Sequence, residues 1–397
     1  MTIKATTENV TSLVATKLTG AFPVLDASAL TGISVGPQSG ASDPTVSTNP
    51  SGVGIVYQNT TSGETFICTV ATAGANVWLN VGSGFGGYGK SFGGNGPGSV
   101  AGYSTGGYNS DAPSHYPRSI DKYLFASGGA LTDHGDIGHE ARQAGGCSSL
   151  THGYAMGGNG TGNAQQASIA KYSFASANTV STHGTVMSPL VGNIGSCSST
   201  TDGYLTGGSA TTSRIQIMSF ASNTTMVAHS QLTVARYVDG GGVSSNTHGY
   251  TAGGNTHPAQ AIGGPIDRFA FDSKSNATDH GDLTGNVIRY GAGGHSSATH
   301  GFYSGGHGGP ATGYLKGINK YAYASNVTAA AHGDLTHGGS GSGGSSGTTD
   351  GYAIGGQSPT GASYKTLIDK FSYSSDAGAT GHSNLSVGRQ SSSDNQV

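Results

Sequence analysis

The pattern Gly-aromatic-x-x-Gly-Gly occurs six times, beginning at Gly102, Gly153, Gly203, Gly249, Gly301 and Gly351, at intervals of 51, 50, 46, 52 and 50 residues. A period of this length marks one supersecondary unit copied in tandem. Each copy is too small to bury its own apolar face and is stable only against its neighbours. With 71 glycines and 12 prolines in 397 residues, roughly a fifth of the chain, composition alone leaves disorder open. The periodicity decides against it over 102–397.

Further anchors keep step with the first. An isoleucine stands three residues before a bulky apolar residue in each unit: Ile120/Tyr123, Ile169/Tyr172, Ile215/Met218, Ile266/Phe269, Ile318/Tyr321 and Ile368/Phe371. An aromatic follows two residues on, at Phe125, Phe174, Phe220, Phe271, Tyr323 and Tyr373. Alternation of β-favouring residues is strand periodicity. A histidine comes 11 residues after the first bulky position every time, at His134, His183, His229, His280, His332 and His382.

Each unit divides into four short strands: a segment of the type Arg142–Ser149, the Gly-aromatic segment, the Ile-containing segment and a His-Gly segment. Turns of the type Thr-His-Gly or Thr-Asp-Gly, at 151–153, 201–203, 247–249, 299–301 and 349–351, join the first two strands. Their glycines are expected at positive φ, as tight hairpins require. Four short strands per unit, repeated radially, describe a propeller blade. With the Gly-Gly closing the second strand, the aromatic third strand and an arginine opening the first, the chain resembles the kelch family over about 300 residues. It departs from that family at the fourth strand, where His-Gly stands in place of the usual tryptophan. The only tryptophan, Trp78, lies outside the repeats.

First strands precede units two to six, and a sixth begins at Arg389 with no partner after it. The economical closure pairs 389–397 inside Gly102–Gly107; the alternative uses 92–100. The fold class expected is therefore all-β, a six-bladed kelch-like β-propeller over 102–397 preceded by a small β-rich N-terminal virion-attachment region. That region divides into an attachment segment at 1–42, a β module at 43–85 and a Gly-rich linker at 86–101. Residues 18–33 resemble segments near the start of phage tail-fibre proteins, and 43–82 resembles small β modules in predicted tail proteins of phages that infect cyanobacteria. The resemblance implies a virion protein made in the host cytoplasm, joined to other virion proteins through its N-terminal region, and a homotrimer.

Charged residues make up only 9% of the chain and the net charge is −3, with scattered basic residues. No basic run suggests nucleic acid, and no apolar stretch reaches the ~18 residues of a membrane helix. Neither partner is expected. Cys68, Cys147 and Cys197 are too few and scattered for a disulfide framework or zinc site and are expected as small buried hydrophobes.

Equivalent positions in a propeller lie far apart, so the repeat histidines would not converge on a metal; they are expected to span turns or pack between blades. No cofactor is expected. Arg142, Arg236, Arg289 and Arg389 open first strands and would line a channel mouth. There they would either recognise an anionic group or satisfy backbone carbonyls at strand ends. The segments of varying length, 108–119, 159–168, 209–214, 255–265, 307–317 and 357–367, join second to third strands on one face. They carry Tyr108, His115, Tyr116, Arg118, His257, His307, Tyr314, Tyr364 and Lys365, which suit sugar binding by stacking and hydrogen bonding. The sequence has no P-loop or nucleophile elbow, and no catalytic residues are expected. The expected function is host recognition as a phage tail fibre or adhesin, binding a surface glycan or protein. The alternatives are a head or tail decoration protein without a receptor, and a polysaccharide-acting enzyme.

Overall fold

The computed structural model describes residues 38–61, 64–83, 98, 100–112, 115–129, 131–187, 192–208, 212–255, 264–284, 291–309, 313–358 and 363–397. The chain forms two compact units, Met1–Phe85 and Gly86–Val397. The segment 1–37 and nearly all of 86–101 lie outside the described residues, and with them most of the attachment segment and linker read from the sequence.

In the first unit, β1 (Gln38–Gly40), β2 (Val56–Asn59), β3 (Glu64–Val70) and β4 (Val77–Ser83) form one sheet in that order. Only the β1–β2 pairing is parallel. Tyr57 packs edge-on against Trp78, with ring centroids 5.7 Å apart, and Cys68 is fully buried. Two buried asparagines tie down the loops: Asn59 donates to Asp43 Oδ1 (2.8 Å) and Asn76 to the Val46 carbonyl (2.9 Å).

The second unit is all-β, built of six small sheets whose main ladders are antiparallel. Sheet I combines β5 (Ala101–Thr105), β6 (Ser119–Leu124) and β7 (Thr132–Asp136) with the last strand of the chain, β29 (Ser393–Gln396). Sheet II is β8 (Gly145–Ser148), β9 (His152–Met156), β10 (Ser168–Ser173) and β11 (Ser181–Thr185). Sheet III is β12 (Gly195–Ser198), β13 (Asp202–Thr206), β14 (Arg214–Ser219) and β16 (Val227–Gln231); β15 (Thr224–Thr225) leaves it to pair in parallel with β11 of sheet II. Sheet IV is β17 (Val243–Ser244), β18 (His248–Ala252), β19 (Pro265–Ala270) and β20 (Thr278–Asp282). Sheet V is β21 (Gly293–Ser296), β22 (His300–Ser304), β23 (Gly317–Ala322) and β24 (Ala330–Asp334). Sheet VI is β25 (Gly343–Ser346), β26 (Asp350–Ile354), β27 (Leu367–Ser372) and β28 (Thr380–Asn384).

The strand expected to return to the first repeat does so. Ser393, Asp394, Asn395 and Gln396 stand opposite Thr105, Ser104, Tyr103 and Gly102 in an antiparallel ladder. The first strands contact one another in the order β8, β12, β17, β21, β25, β29 and β8 again.

Each sheet meets the next through the same set of residues. The second-strand aromatic stacks on the third-strand aromatic of the following sheet: Tyr103 on Phe174 (4.8 Å), Tyr154 on Phe220 (4.8 Å), Tyr204 on Phe271 (4.9 Å), Tyr250 on Tyr323 (4.9 Å) and Phe302 on Tyr373 (4.7 Å). Tyr352 of sheet VI makes this contact with Phe125 of sheet I at 4.6 Å. The repeat isoleucines Ile120, Ile169, Ile215, Ile266, Ile318 and Ile368 are all fully buried. Stacked aromatics and β-branched residues supply the burial that each sheet lacks alone.

The glycines have two distinct causes. Both members of each Gly-Gly pair stand at positive φ, as at Gly157 (66°) and Gly158 (104°), a conformation that side chains resist. The glycine opening each second strand was expected at positive φ in a hairpin turn, and that expectation is corrected. Gly153, Gly203, Gly249, Gly301 and Gly351 lie within strands, and none has positive φ. Their requirement is steric: a Cβ at Gly153 would run into the Tyr172 ring, and one at Gly351 into Phe371. In sheets II to V the turn itself is closed by serine. Ser149 Oγ accepts from the N–H of His152 (3.1 Å), and the Ser149 N–H donates to the His152 carbonyl (2.8 Å).

Candidate functional site

The six repeat histidines sit between sheets. Each Nε2 lies on a third-strand carbonyl of the next sheet: His134 on Ser173 (2.7 Å), His183 on Ser219 (2.9 Å), His229 on Ala270 (3.2 Å), His280 on Ala322 (2.9 Å), His332 on Ser372 (2.8 Å) and His382 on Leu124 (2.9 Å). A carbonyl only accepts, so Nε2 carries the proton in each. Each ring also packs on the second-strand aromatic of its own sheet, as His183 does on Tyr154 with centroids 5.0 Å apart. Burial lowers the His280 pKa from the ordinary imidazole value. These side chains are committed to joining sheets.

Of the two roles expected for the arginines that open first strands, Arg236 and Arg389 take the one at backbone carbonyls, from buried positions. Arg236 and Arg389 are buried and ion-paired, Arg236 Nη1 to Asp267 (2.9 Å) and Arg389 Nη2 to Asp121 (2.8 Å). Other donors go to neutral acceptors, Arg236 to the carbonyls of Thr251 (3.2 Å) and Val234 (3.4 Å), and Arg389 to those of Gly106 (3.1 Å) and Val387 (3.2 Å) and to Ser119 Oγ (2.9 Å); Arg236 Nε is buried without a partner among the described residues. Desolvating a guanidinium is costly, and a buried arginine persists where a carboxylate and carbonyls take its donors. Arg289 lies outside the described residues.

The acids that complete these pairs went unnoticed in the sequence, although a signal was present. The repeat isoleucine is followed by Asp in three units, at Asp121, Asp267 and Asp369. Asp369 holds the Thr336 hydroxyl (2.8 Å) and N–H (2.9 Å) and lies 3.5 Å from His337 Nδ1.

Arg142 behaves differently, because it is one residue out of step. Tyr237 and Gln390, which follow the buried arginines, form backbone bridges to Asn255 and Tyr108; in sheet II it is Arg142 itself that bridges to Asn159. The residue aligned with Arg236 and Arg389 is thus Ala141. The shift turns Arg142 onto the rings of the first variable loop, its Cζ 4.9 Å from the Tyr108 centroid and 5.9 Å from that of Tyr116. Its Nη2 donates to Asn163 Oδ1.

Around it the structure gathers several residues expected at a binding face. Tyr108 lies edge-on to Tyr116 (5.4 Å) and to Tyr364 of sheet VI (5.8 Å), with His115 at 6.4 Å. Ser110 Oγ donates to the Tyr364 hydroxyl at 3.3 Å. His115 and Arg118 are exposed, Tyr108, Arg142 and Tyr364 half-buried and Tyr116 buried. Backbone bonds hold the loops in place, between Tyr108 N–H and the Gln390 carbonyl (2.9 Å) and between Asn109 N–H and the His115 carbonyl (2.9 Å). Arg118 approaches Glu140 at 3.9 Å, and Glu140 also accepts from the Thr161 N–H (2.7 Å) and hydroxyl (2.8 Å). Those bonds lower the Glu140 pKa and keep the carboxylate charged.

The remaining loop residues stand elsewhere. His307 and Tyr314 form a separate pair, with rings 5.1 Å apart and the Tyr314 hydroxyl 3.4 Å from Gln357 Oε1. Lys365, next to Tyr364, is half-buried, and its carbonyl accepts from the Arg389 N–H (3.2 Å). His257 lies outside the described residues.

Where first strands converge there is a cavity of about 40 Å³ lined by residues that include Ser196, Asp239, Gly344, Ser392 and Asp394. A water needs roughly 10–15 Å³ by this measure, so the space suits a few waters and not a sugar ring. Burial pushes the Asp394 carboxyl up to about 7 and that of Asp239 up to about 6. The Tyr108–Arg142 cluster on the loops, with its rings and guanidinium, is a stronger candidate for a sugar site than this cavity. No protein-family model and no curated protein matches the chain.

Proposed function

We propose that sheets I to VI are the blades of a six-bladed kelch-like β-propeller closed by β29, and that the chain is a phage tail fibre or adhesin that binds a host surface glycan through its loop face. The first-strand contacts that run from β8 through β29 and back to β8 support the propeller. So do the stacking of Tyr352 on Phe125 and the bond from His382 to the Leu124 carbonyl, which repeat between sheets VI and I what every other pair of neighbours makes. The phage assignment rests on the resemblance of 18–33 and 43–82 to tail proteins. Attachment to other virion proteins through the N-terminal region, and trimerisation that multiplies weak sites by avidity, belong to the same reading.

The observation that carries the binding role is the cluster of Tyr108, Tyr116, Tyr364, His115 and Arg142, drawn from three separate connections onto one patch. Rigid aromatic groups beside a fixed guanidinium give stacking area and directed donors at small entropic cost. The test is binding of the labelled full-length protein to candidate host cells before and after periodate oxidation of surface glycan. Saturable binding lost on oxidation supports the adhesin. A folded protein that does not bind indicates a decoration role, and release of oligosaccharide from host glycan indicates an enzyme.

A further inference from the structure

We propose that the loop cluster recognises an anionic saccharide, with Arg142 holding its carboxylate or sulfate ester and the neighbouring tyrosines stacking on the sugar. This rests on the adhesin reading and adds the chemical class of the ligand.

The described arginines that open first strands differ in their partners. Arg236 and Arg389 are neutralised by Asp267 and Asp121. Arg142 takes part in none of the ion pairs among the described residues. Its one hydrogen-bond acceptor among them is the neutral amide of Asn163, and its buried Nε has no partner. Glu140, two residues before it, is taken up by Thr161 and Arg118. Asp239 feels the charge of Arg142 without pairing with it. A tyrosine face attracts a guanidinium but accepts none of its in-plane N–H donors.

The group is also held in place. Two rings and Asn163 contact the guanidinium, and the bridge from Arg142 to Asn159 fixes its backbone. A planar fork with unused donors matches the two oxygens of a carboxylate or sulfate, and a fixed fork loses little entropy on binding. Tyr364 and Tyr108 stand beside it as partly exposed aromatic surface. Charge plus adjoining ring faces favours an acidic glycan over a neutral one, and over a simple anion that would leave the rings unused.

The experiment is calorimetric titration of the full-length protein with a polyuronate, a sulfated polysaccharide and neutral dextran at low and high salt. We expect at least one acidic polymer to bind on the order of tenfold or more tightly than dextran, with binding weakened by salt. The two acidic arms tell carboxylate from sulfate. Arg142→Gln should weaken that binding on the order of tenfold or more, the size expected for a lost charge-assisted bond. Arg142→Lys, which keeps charge without the fork, should fall between. Lys316→Gln removes an exposed charge paired with Asp334 and should change nothing, which separates a site from general attraction to a polyanion. Tyr364→Leu supplies a second test should Arg142→Gln fail to fold, and should also weaken binding. Equal binding of dextran and acidic polymers, or undiminished binding by folded Arg142→Gln, overturns the proposal and leaves the adhesin standing. Absence of binding to every saccharide and to host cells overturns both.

Discussion

Truncation after Ser392 tests whether the last strand holds the second unit together. It removes β29 and Val397 and leaves one side of β5 without a partner. Beyond the ladder itself, five bonds that involve side chains and tie β29 to neighbouring strands are lost. Thr105 Oγ1 loses the Ser393 carbonyl (2.7 Å), Ser148 Oγ and Tyr154 N–H lose Asn395 Oδ1 (3.3 and 3.4 Å), the Gly145 carbonyl loses Ser393 Oγ (3.1 Å), and Ser148 Oγ loses the Gln396 N–H (3.2 Å). Three backbone bonds of Val397, with Val100 and Ala101, go with them. At about 1 kcal/mol net per bond the loss is roughly 8 kcal/mol, and unsatisfied buried groups add to it. Total stabilities of about 5–15 kcal/mol make that a loss the unit does not survive at ordinary temperature. Asn395→Ala is the graded version, with a cost of about 2–3 kcal/mol for the two donors it strands. The assay is thermal unfolding followed by far-ultraviolet circular dichroism. Fluorescence of Trp78 serves as a separate probe, because it lies in the first unit, packed on Tyr57. A truncated chain that melts with the full-length protein would refute the closing role of β29.

Arg389→Met should cost about 3–5 kcal/mol in urea unfolding, because it strands the buried Asp121 carboxylate; adding Asp121→Leu should recover part of that, and strictly additive losses would count against the pair. Burial favours the neutral form of Asp394, its carboxyl raised to about 7 against an ordinary 3.8. The folded state therefore binds the proton more tightly, so this group's contribution is fullest below about pH 4 and is lost as pH rises through 7. Asp394→Asn should be more stable than the parent at pH 8, by on the order of 4 kcal/mol, with little difference at pH 4; a difference independent of pH contradicts the assignment. His183→Ala removes a bond to the Ser219 carbonyl and a ring contact with Tyr154, and should cost about 2 kcal/mol. Chelators should leave the melting temperature of the parent protein unchanged, and a drop on chelation would point to a metal after all.

The strands were legible because the constraint that makes them is local and copied six times. Tyr123 and Phe125 carry a period of two, an isoleucine stands three residues before the first of them, and their counterparts keep the same spacing in every repeat. The closing strand was legible by counting, since Arg389 begins a first strand with nothing after it to pair with. The histidines could be read as structural, spanning turns or packing between sheets, because symmetry forbids them a shared ion; the folded chain decides for the second. What a repeat does not disclose is a contact made across the chain by residues that vary between units. Arg389 meets an acid 268 positions away, and only the folded chain puts the two in one buried pocket, where desolvation demands a carboxylate for every guanidinium. The glycine of each Gly-aromatic pair reads as a turn residue until the third-strand ring is seen to fill the space a Cβ would need. Arg142 looks like its counterparts in the sequence, and tertiary structure alone separates them. One residue of register moves it from the row of core arginines to the surface of Tyr108, because neighbouring backbone positions face opposite ways.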